Sequence, residues 1–313
     1  MGGTKRHHNK SRKEAKKRSR AKRDKQELLQ LNANSIGSTS SSIVWDRVKY
    51  SPHNLYPGIP WENDRPVRGP TAAELQSAYK EVSSFRLLES GLHVIRDPVP
   101  DPVDKKKKSI IAIIEFTRFE DLTDAQKDDL NFISTFLHQS KRFINPVSSA
   151  SRAWGGLMYA IGWRKSCDKD QIVGKYIKQF NTNEMVAFDK HYSKSSRLGS
   201  IIGNLFKNLA SIPFQNNHNL MKEHNLPSFA SLSYGELPDD STCSPHITFT
   251  TKSFYNPPHI DKKDVSQYAF ALFIPTRLSD GSLVDSSEYD VTSGPFIFPD
   301  HQFGINLMHN MEL

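Results

Sequence analysis

The sequence predicts an α+β protein: a sheet, sandwich or barrel of short strands at the C-terminal end, preceded by helices that cover it. Three observations predict it. Capped segments with apolar residues at helical spacing recur between residues 71 and 210. After residue 228 that period stops, and short apolar runs alternate with turn residues such as Asp280-Gly281 and Ser293-Gly294. A block of positive charge stands apart at the N-terminus. Residues 5–25 hold twelve Lys and Arg against Glu14 and Asp24, and the rest of the 313-residue chain holds 30 basic and 32 acidic residues. The body is therefore nearly neutral.

The elements follow in order. Residues 1–42 form a basic tail and a polar linker, NANSIGSTSSS, with a helix possible over 13–31 in context. Such a charge block repels itself and buries nothing, so it is expected to be disordered when free. Residues 43–70 carry five prolines with Trp45 and Trp61, the composition of an irregular wrapped segment. The ordered domain is expected over 71–313. Pro70-Thr71 opens a helix over AAELQSAYKEV. Strand-like runs follow at Phe85–Arg96 and Ser109–Phe119, separated by a second basic patch at Lys105–Lys108. Thr123-Asp124-Ala125-Gln126 is a capping-box pattern, and Leu130, Ile133 and Leu137 extend it as an amphipathic helix over 124–143. Trp154–Trp163 is an apolar run broken by three glycines. Asp170–Phe180 and Ser195–Ala210 read as helices. The later strand candidates are Phe229–Tyr234, His246–Phe254, Tyr268–Pro275, Pro295–Pro299 and Phe303–Leu307. No internal repeat is visible.

Several functions are excluded or weakened. No stretch approaches the roughly 18 apolar residues of a membrane span. The first residues lack the apolar core of a secretory signal. Two cysteines, Cys167 and Cys243, allow neither a disulfide framework nor a cysteine zinc site, and fit a reducing, intracellular compartment. GxxxxGK[ST], GxGxxG, GxSxG and HExxH are all absent, which removes most support for nucleotide hydrolysis, NAD chemistry and serine hydrolysis.

One short motif carries metal chemistry: His259-Ile260-Asp261, after a strand-like run and a Pro-Pro turn. On a strand, residues i and i+2 point to one side. An imidazole and a carboxylate so placed can occupy two neighbouring positions of one metal, two-thirds of the 2-His-1-carboxylate set of non-haem Fe(II) oxygenases. A bare HxD is weak, since a surface hydrogen-bonded pair gives the same pattern. Its setting between a strand and the apolar run Tyr268–Pro275 strengthens it.

The run NPPHIDKKDVSQYAFALFIP, with GPFIFPDHQFGIN downstream and WGGLMYAIGWRK upstream, resembles the TET/JBP-type 2-oxoglutarate–Fe(II) oxygenase domains numerous in fungi, over roughly residues 85–307. The resemblance implies a double-stranded β-helix, or jelly roll, with supporting helices. It implies Fe(II) held by His259 and Asp261, 2-oxoglutarate as co-substrate, and oxidation of the 5-methyl group of pyrimidines in nucleic acid. The base would be flipped from the duplex to reach the iron.

The chain also departs from that pattern. The family continues to a distal histidine and then to an arginine that clamps the co-substrate carboxylate, a task suited to the guanidinium fork. Here no Lys or Arg occurs in residues 278–313. His301, in a Pro-Asp turn, and His309 are weak candidates for the third ligand, and Arg277 is expected at a loop. The barrel is therefore expected to be incomplete at its C-terminal end and turnover impaired. The alternative is a non-catalytic nucleic-acid-binding or transposon-associated protein that keeps the fold.

Other groups were weighed against plain structural roles. Glu115 and Glu120 form a possible carboxylate pair, with surface charge the commoner case. Cys167, beside Lys165 and Asp168, is by default inert. Trp154, Tyr159 and Trp163 can stack on bases, but aromatics in such a run are more often core. His138, His191, His218 and His224 read as solvated or hydrogen-bonded structural residues, and His246 as a strand cap. The tail Lys5–Lys25 points to nucleic acid, DNA in particular, as partner and to a nuclear location, with a cytoplasmic one as the alternative.

The charge partition yields a first prediction. Deleting residues 1–30 weakens non-specific binding to DNA and flattens its salt dependence, because fewer counterions are released. A fluorescence-anisotropy titration at several salt concentrations reads both changes, and an unchanged slope refutes the assignment.

Overall fold

The computed structural model describes residues 43–63, 65–100, 108–147, 154–165, 173–236, 238–260, 264, 266–289 and 294–307. The expectations for the tail, for Lys105–Lys107, and for Cys167, Asp261 and His309 fall outside them.

Three of the helices start where the sequence supplies caps. Helix α1 (Ala72–Val82) is capped by Thr71, whose hydroxyl accepts from Glu74 N while Glu74 reaches back to Thr71 N at 2.8 Å. Arg68 grips the same carboxylate at 2.8 and 2.9 Å; with the Thr71 bonds, that contact pulls the Glu74 carboxyl down to about 2. Helix α2 (Asp124–Ser140) carries the expected Thr123–Gln126 box. Helix α3 (Thr182–Tyr192) has a third, made by Asn181 and Glu184. Helices α4 (Ser195–Leu209) and α5 (Ser211–Glu223) follow with one residue between them.

The strands form small sheets. β1 (Val44–Arg47) pairs in parallel with β5 (Leu92–Pro100), which pairs antiparallel with β6 (Lys108–Glu115). β2 (Trp61–Glu62) and β3 (Arg65–Pro66) form a ribbon. β4 (Arg86–Leu88) pairs in parallel with β11 (Phe303–Ile305), which pairs antiparallel with β10 (Phe296–Phe298). β7 (Gly155–Lys165) lies between β8 (Val173–Lys175) and β9 (His246–Tyr255). The architecture is α+β as expected. Among the described residues each sheet has two or three strands.

Four expectations need correction. The segment 43–70 is not wholly irregular: it supplies β1 to β3, and its Leu55, Tyr56 and Ile59 pack with Ala78, Val82 and Phe85 in one apolar cluster. The described part of Asp170–Phe180 is not helical. Val173–Lys175 extend the β7 ladder instead, pairing with Trp163–Lys165, and that tertiary pairing outweighs a weak helical pattern. Tyr268–Pro275 is not a strand. It is an extended strap held by side chains: Asn217 donates to Tyr268 O at 3.0 Å, and Phe270 stacks on Phe206 at 5.2 Å. Phe229–Tyr234 is not a strand either. Its carbonyls are taken one by one, Phe229 O by the Tyr192 hydroxyl, Ala230 O by Ser195 Oγ at 3.5 Å, Ser231 O by Trp163 Nε1 at 3.2 Å and Leu232 O by Lys175 Nζ at 2.8 Å. Side-chain donors there replace a ladder.

The largest core lies between α2, α3, α4 and the β7–β9 sheet, around Phe136, Ile144, Ile161, Phe188, Tyr192 and Leu198. Full burial of one such side chain contributes about 1.5–3 kcal/mol. Tyr159 and Trp163 belong to this face as core, Tyr159 stacked on Phe249 at 5.4 Å. The buried His191 ring sits between Phe136, at 4.2 Å, and Phe143, at 5.3 Å. Its Nε2–H donates to Ser140 Oγ at 2.8 Å, and the Ser140 hydroxyl proton goes to Phe136 O at 2.8 Å. His218 Nδ1 likewise donates to Thr242 O at 2.8 Å. Both are structural histidines.

Burial, with Lys194 nearby, lowers the His191 imidazole to about 4. In the unfolded chain a histidine titrates near 6.5. Between those values the unfolded state binds more protons, so stability falls as pH drops from about 6.5 towards 4. His191→Phe keeps the aromatic stack and removes that proton site. Its urea-unfolding midpoint is expected to fall less than the wild type's over this window.

Candidate metal centre

The chain reaches the candidate site along β9, which carries an irregularity near its end. Gly155 pairs with Tyr255 but Leu157 pairs with Thr251, so three β9 residues face the single Gly156. Gly156 has φ +68°, and a Cβ there would lie 2.4 Å from Phe254 Cα, so only glycine fits. Lys252 and Ser253 both take left-handed φ, at +59° and +53°. β9 then ends at Tyr255, because Pro257 and Pro258 have no N–H for a ladder.

Two anchors fix the turn that follows. The Tyr255 hydroxyl bonds that of Tyr56, and Trp154 packs against both rings at 5.6 and 4.9 Å. Pro257 is fully buried. Burial raises both phenols above their ordinary range, so they stay neutral. Beside them lies a small, open apolar cleft lined by Leu55, Tyr56, Tyr79, Val82, Tyr255 and Ile297.

His259 stands exposed past this turn, and its Nδ1–H donates to Pro257 O at 2.8 Å. That bond selects the tautomer with its lone pair on Nε2, the arrangement a metal-binding histidine needs. The Asn256 Oδ1 next to it is buried and has no hydrogen-bond partner. A neutral imidazole in that tautomer is a donor type that suits a divalent cation such as Fe(II). The strand expected to hold His259-Ile260-Asp261 is not formed over 256–260, and Asp261 lies outside the described residues. Among the described residues no three His, Cys, Asp or Glu side chains converge.

The other candidates are placed elsewhere. His301 ends a short 3-10 turn after β10 and packs on Tyr50 at 5.5 Å, its Nδ1 buried without a partner. Arg277 is held by both Glu288 oxygens and by Ser282 in a tight turn, which agrees with the loop position expected of it. Glu120 and Asp121 attend Arg118 at 3.6 and 2.9 Å, as ordinary surface charge. Burial, with Asp239 nearby, pushes the Cys243 thiol up to about 11, so it is unreactive. The sequence reading passed over Tyr56 and Asn256. No spacing signal marked Tyr56, because it comes from a segment 199 residues away from Tyr255.

Over residues 123–312, more than half of the chain, the sequence matches the family model of the Tet-like 2OG-Fe(II) oxygenase superfamily. The match opens at the α2 cap Thr123 and includes the HxD turn. No curated protein matches the chain.

The geometry gives a further prediction. Calorimetric titration with Mn(II), as an air-stable substitute for Fe(II), is expected to show one site. His259→Ala and Asp261→Ala should each weaken it by about tenfold or more, since even residues that only orient a ligand are typically worth 10–100-fold. Equal affinity in wild type and variants would remove both residues from the metal site.

Proposed function

Because the chain belongs to the Tet-like 2OG-Fe(II) oxygenase superfamily, we propose that it is a 2-oxoglutarate- and Fe(II)-dependent dioxygenase that acts on methylated pyrimidines in nucleic acid, built on a double-stranded β-helix and working in the nucleus. The observation that carries the reading is His259, whose Nδ1–H is tied to the Pro257 carbonyl, which leaves the ring in the tautomer that a histidine ligating through Nε2 needs. His259 and Asp261 would hold the iron. When bound, iron and 2-oxoglutarate together supply oxidation of a methyl group by dioxygen, with release of succinate and carbon dioxide.

The chain's own residues do the rest. Pro257 and the Tyr56–Tyr255 pair fix the turn, so His259 needs little reorganisation to bind. Trp154 packs against both tyrosine rings and holds them in place. The apolar surface beside the Tyr56–Tyr255 pair suits an uncharged group better than an anion. A flipped base has that character. The basic block in residues 5–25 supports a polyanionic partner.

A second reading is a non-catalytic nucleic-acid-binding protein. One observation favours it: Arg277, the sole arginine after the HxD motif, is committed to Glu288 and is not available as a carboxylate anchor.

The test supplies purified protein with Fe(II), ascorbate, 2-oxoglutarate and duplex DNA, methylated or not. Dioxygenase function predicts succinate release stimulated by the methylated duplex and abolished in His259→Ala. DNA binding without succinate release would select the second reading.

A further inference from the structure

The strap over residues 268–275 is extended chain without a ladder. Side chains of one parity anchor it: Phe270 stacks on Phe206 at 5.2 Å, and Ile274 packs against the largest core. Ala269, Ala271 and Phe273, of the other parity, are exposed. Among the described residues no backbone N–H or C=O of residues 269–274 takes a hydrogen bond. Pairing resumes only at Pro275, whose carbonyl accepts from Val284 N at 3.1 Å. Large apolar side chains stay in water along this stretch. Leu272 is 39% exposed and Phe273 44%, and Phe273 meets Phe296, 46% exposed, at 5.7 Å. Phe296 belongs to β10, an outer strand of its sheet.

Water satisfies exposed backbone, so open amides alone mark nothing. The composition does. Residues 265–276 contain no Asp, Glu, Lys or Arg, and no proline before Pro275. Natural proteins guard open apolar strands with charges, prolines or bulges, because such a strand pairs with any strand it meets. This one is unguarded. A nucleic acid finds no cation on it and offers it no ladder. A bilayer would strip water from its unpaired amides. A second copy of the strap meets both needs. Laid antiparallel about Ala271, residue 269 of one copy faces residue 273 of the other, 270 faces 272, and Ala271 faces Ala271. Phe273 then lies across from a small side chain and Phe270 from the flexible Leu272. No like charges meet, and one two-fold operation pairs the facing edges of both strands.

We propose that residues 269–274 are a strand-addition site through which the protein pairs with a second copy of itself, antiparallel and centred on Ala271, to form a two-fold dimer. Main-chain hydrogen bonds across the axis supply the ladder that the strap lacks. Leu272, Phe273 and the neighbouring Phe296 supply the apolar surface that leaves water with it. The site is separate from the His259 turn and does not depend on the metal reading.

Sedimentation velocity of the full-length protein over a wide concentration range reads the association. Hydrogen exchange of a peptide spanning residues 268–275 reads the ladder at each concentration. The wild type is expected to pass from monomer to dimer, with the strap amides exchanging slowly only in the dimer. Ala271 is exposed, so Ala271→Lys and Ala271→Glu leave the packing of the monomer intact, which thermal melts check. Each variant alone sets like charges face to face on the two-fold axis and should weaken dimerisation by about fivefold. An equal mixture sets Lys against Glu and should recover at least the wild-type affinity. A wild type that stays monomeric overturns the proposal, as does either variant dimerising at wild-type strength. A mixture no better than its components removes the axis from Ala271 and overturns it too. Strap amides protected equally at every concentration refute it, because their partner then lies within one chain. Amides that stay unprotected in a dimer refute it as well, because the contact is then elsewhere.

Discussion

The antiparallel ladder between β7 and β9 is the constraint on which most of this structure depends. One face of β7 is the floor of the largest core, where Tyr159 and Ile161 meet the helices. Its edges receive β8 and β9, and the β9 pairing joins residues more than eighty positions apart. The ladder also aims the candidate site. Three residues of β9 opposite Gly156 bend the strand, and the prolines after Tyr255 end it. His259 is thereby delivered at the tip of an anchored turn. A side chain at Gly156 would collide with the Phe254 backbone, so the bend and the site share one steric requirement.

The second organising feature is how irregular backbone is satisfied. The loop from Phe229 to Leu232 crosses the edge of the core without a strand partner. Four successive carbonyls are met by Tyr192, Ser195, Trp163 and Lys175, from two helices and two strands. The Lys175 ammonium also lies over the Trp163 ring at 4.5 Å and the Tyr192 ring at 5.3 Å, so the donors support one another. Buried carbonyls left without donors would each cost about 1–3 kcal/mol. This one cluster therefore locks helix, sheet and loop into a single arrangement.

The candidate metal centre is built in the same manner. The turn over residues 256–260 is not regular secondary structure. Tyr56 arrives from the segment before α1, Trp154 from the start of β7, and Tyr255 from the end of β9. Their contact buries the base of the turn and leaves His259 at its exposed end.

Two helix starts were legible from their caps. Thr71 with Glu74 and Thr123 with Gln126 behave as their spacing requires, because a capping box is a local hydrogen-bond pattern that needs no distant partner. The same signal at Asn181 and Glu184 went unread, and with it α3. α5 follows α4 with no side-chain cap, so no comparable signal announced it. The strands of β6, β9, β10 and β11 showed in their runs of branched and aromatic residues. Phe229–Tyr234 and Tyr268–Pro275 have the same composition but are not strands, since strand identity is decided by whether a neighbour offers a ladder. The sequence by itself determined the charged tail, the capped helices and the HxD motif, all properties of residues close together in the chain. Only the tertiary structure decided which apolar runs find ladders and that Tyr56 meets Tyr255. Each of those depends on contacts between residues more than a hundred positions apart, or on pairing partners that local propensity does not specify.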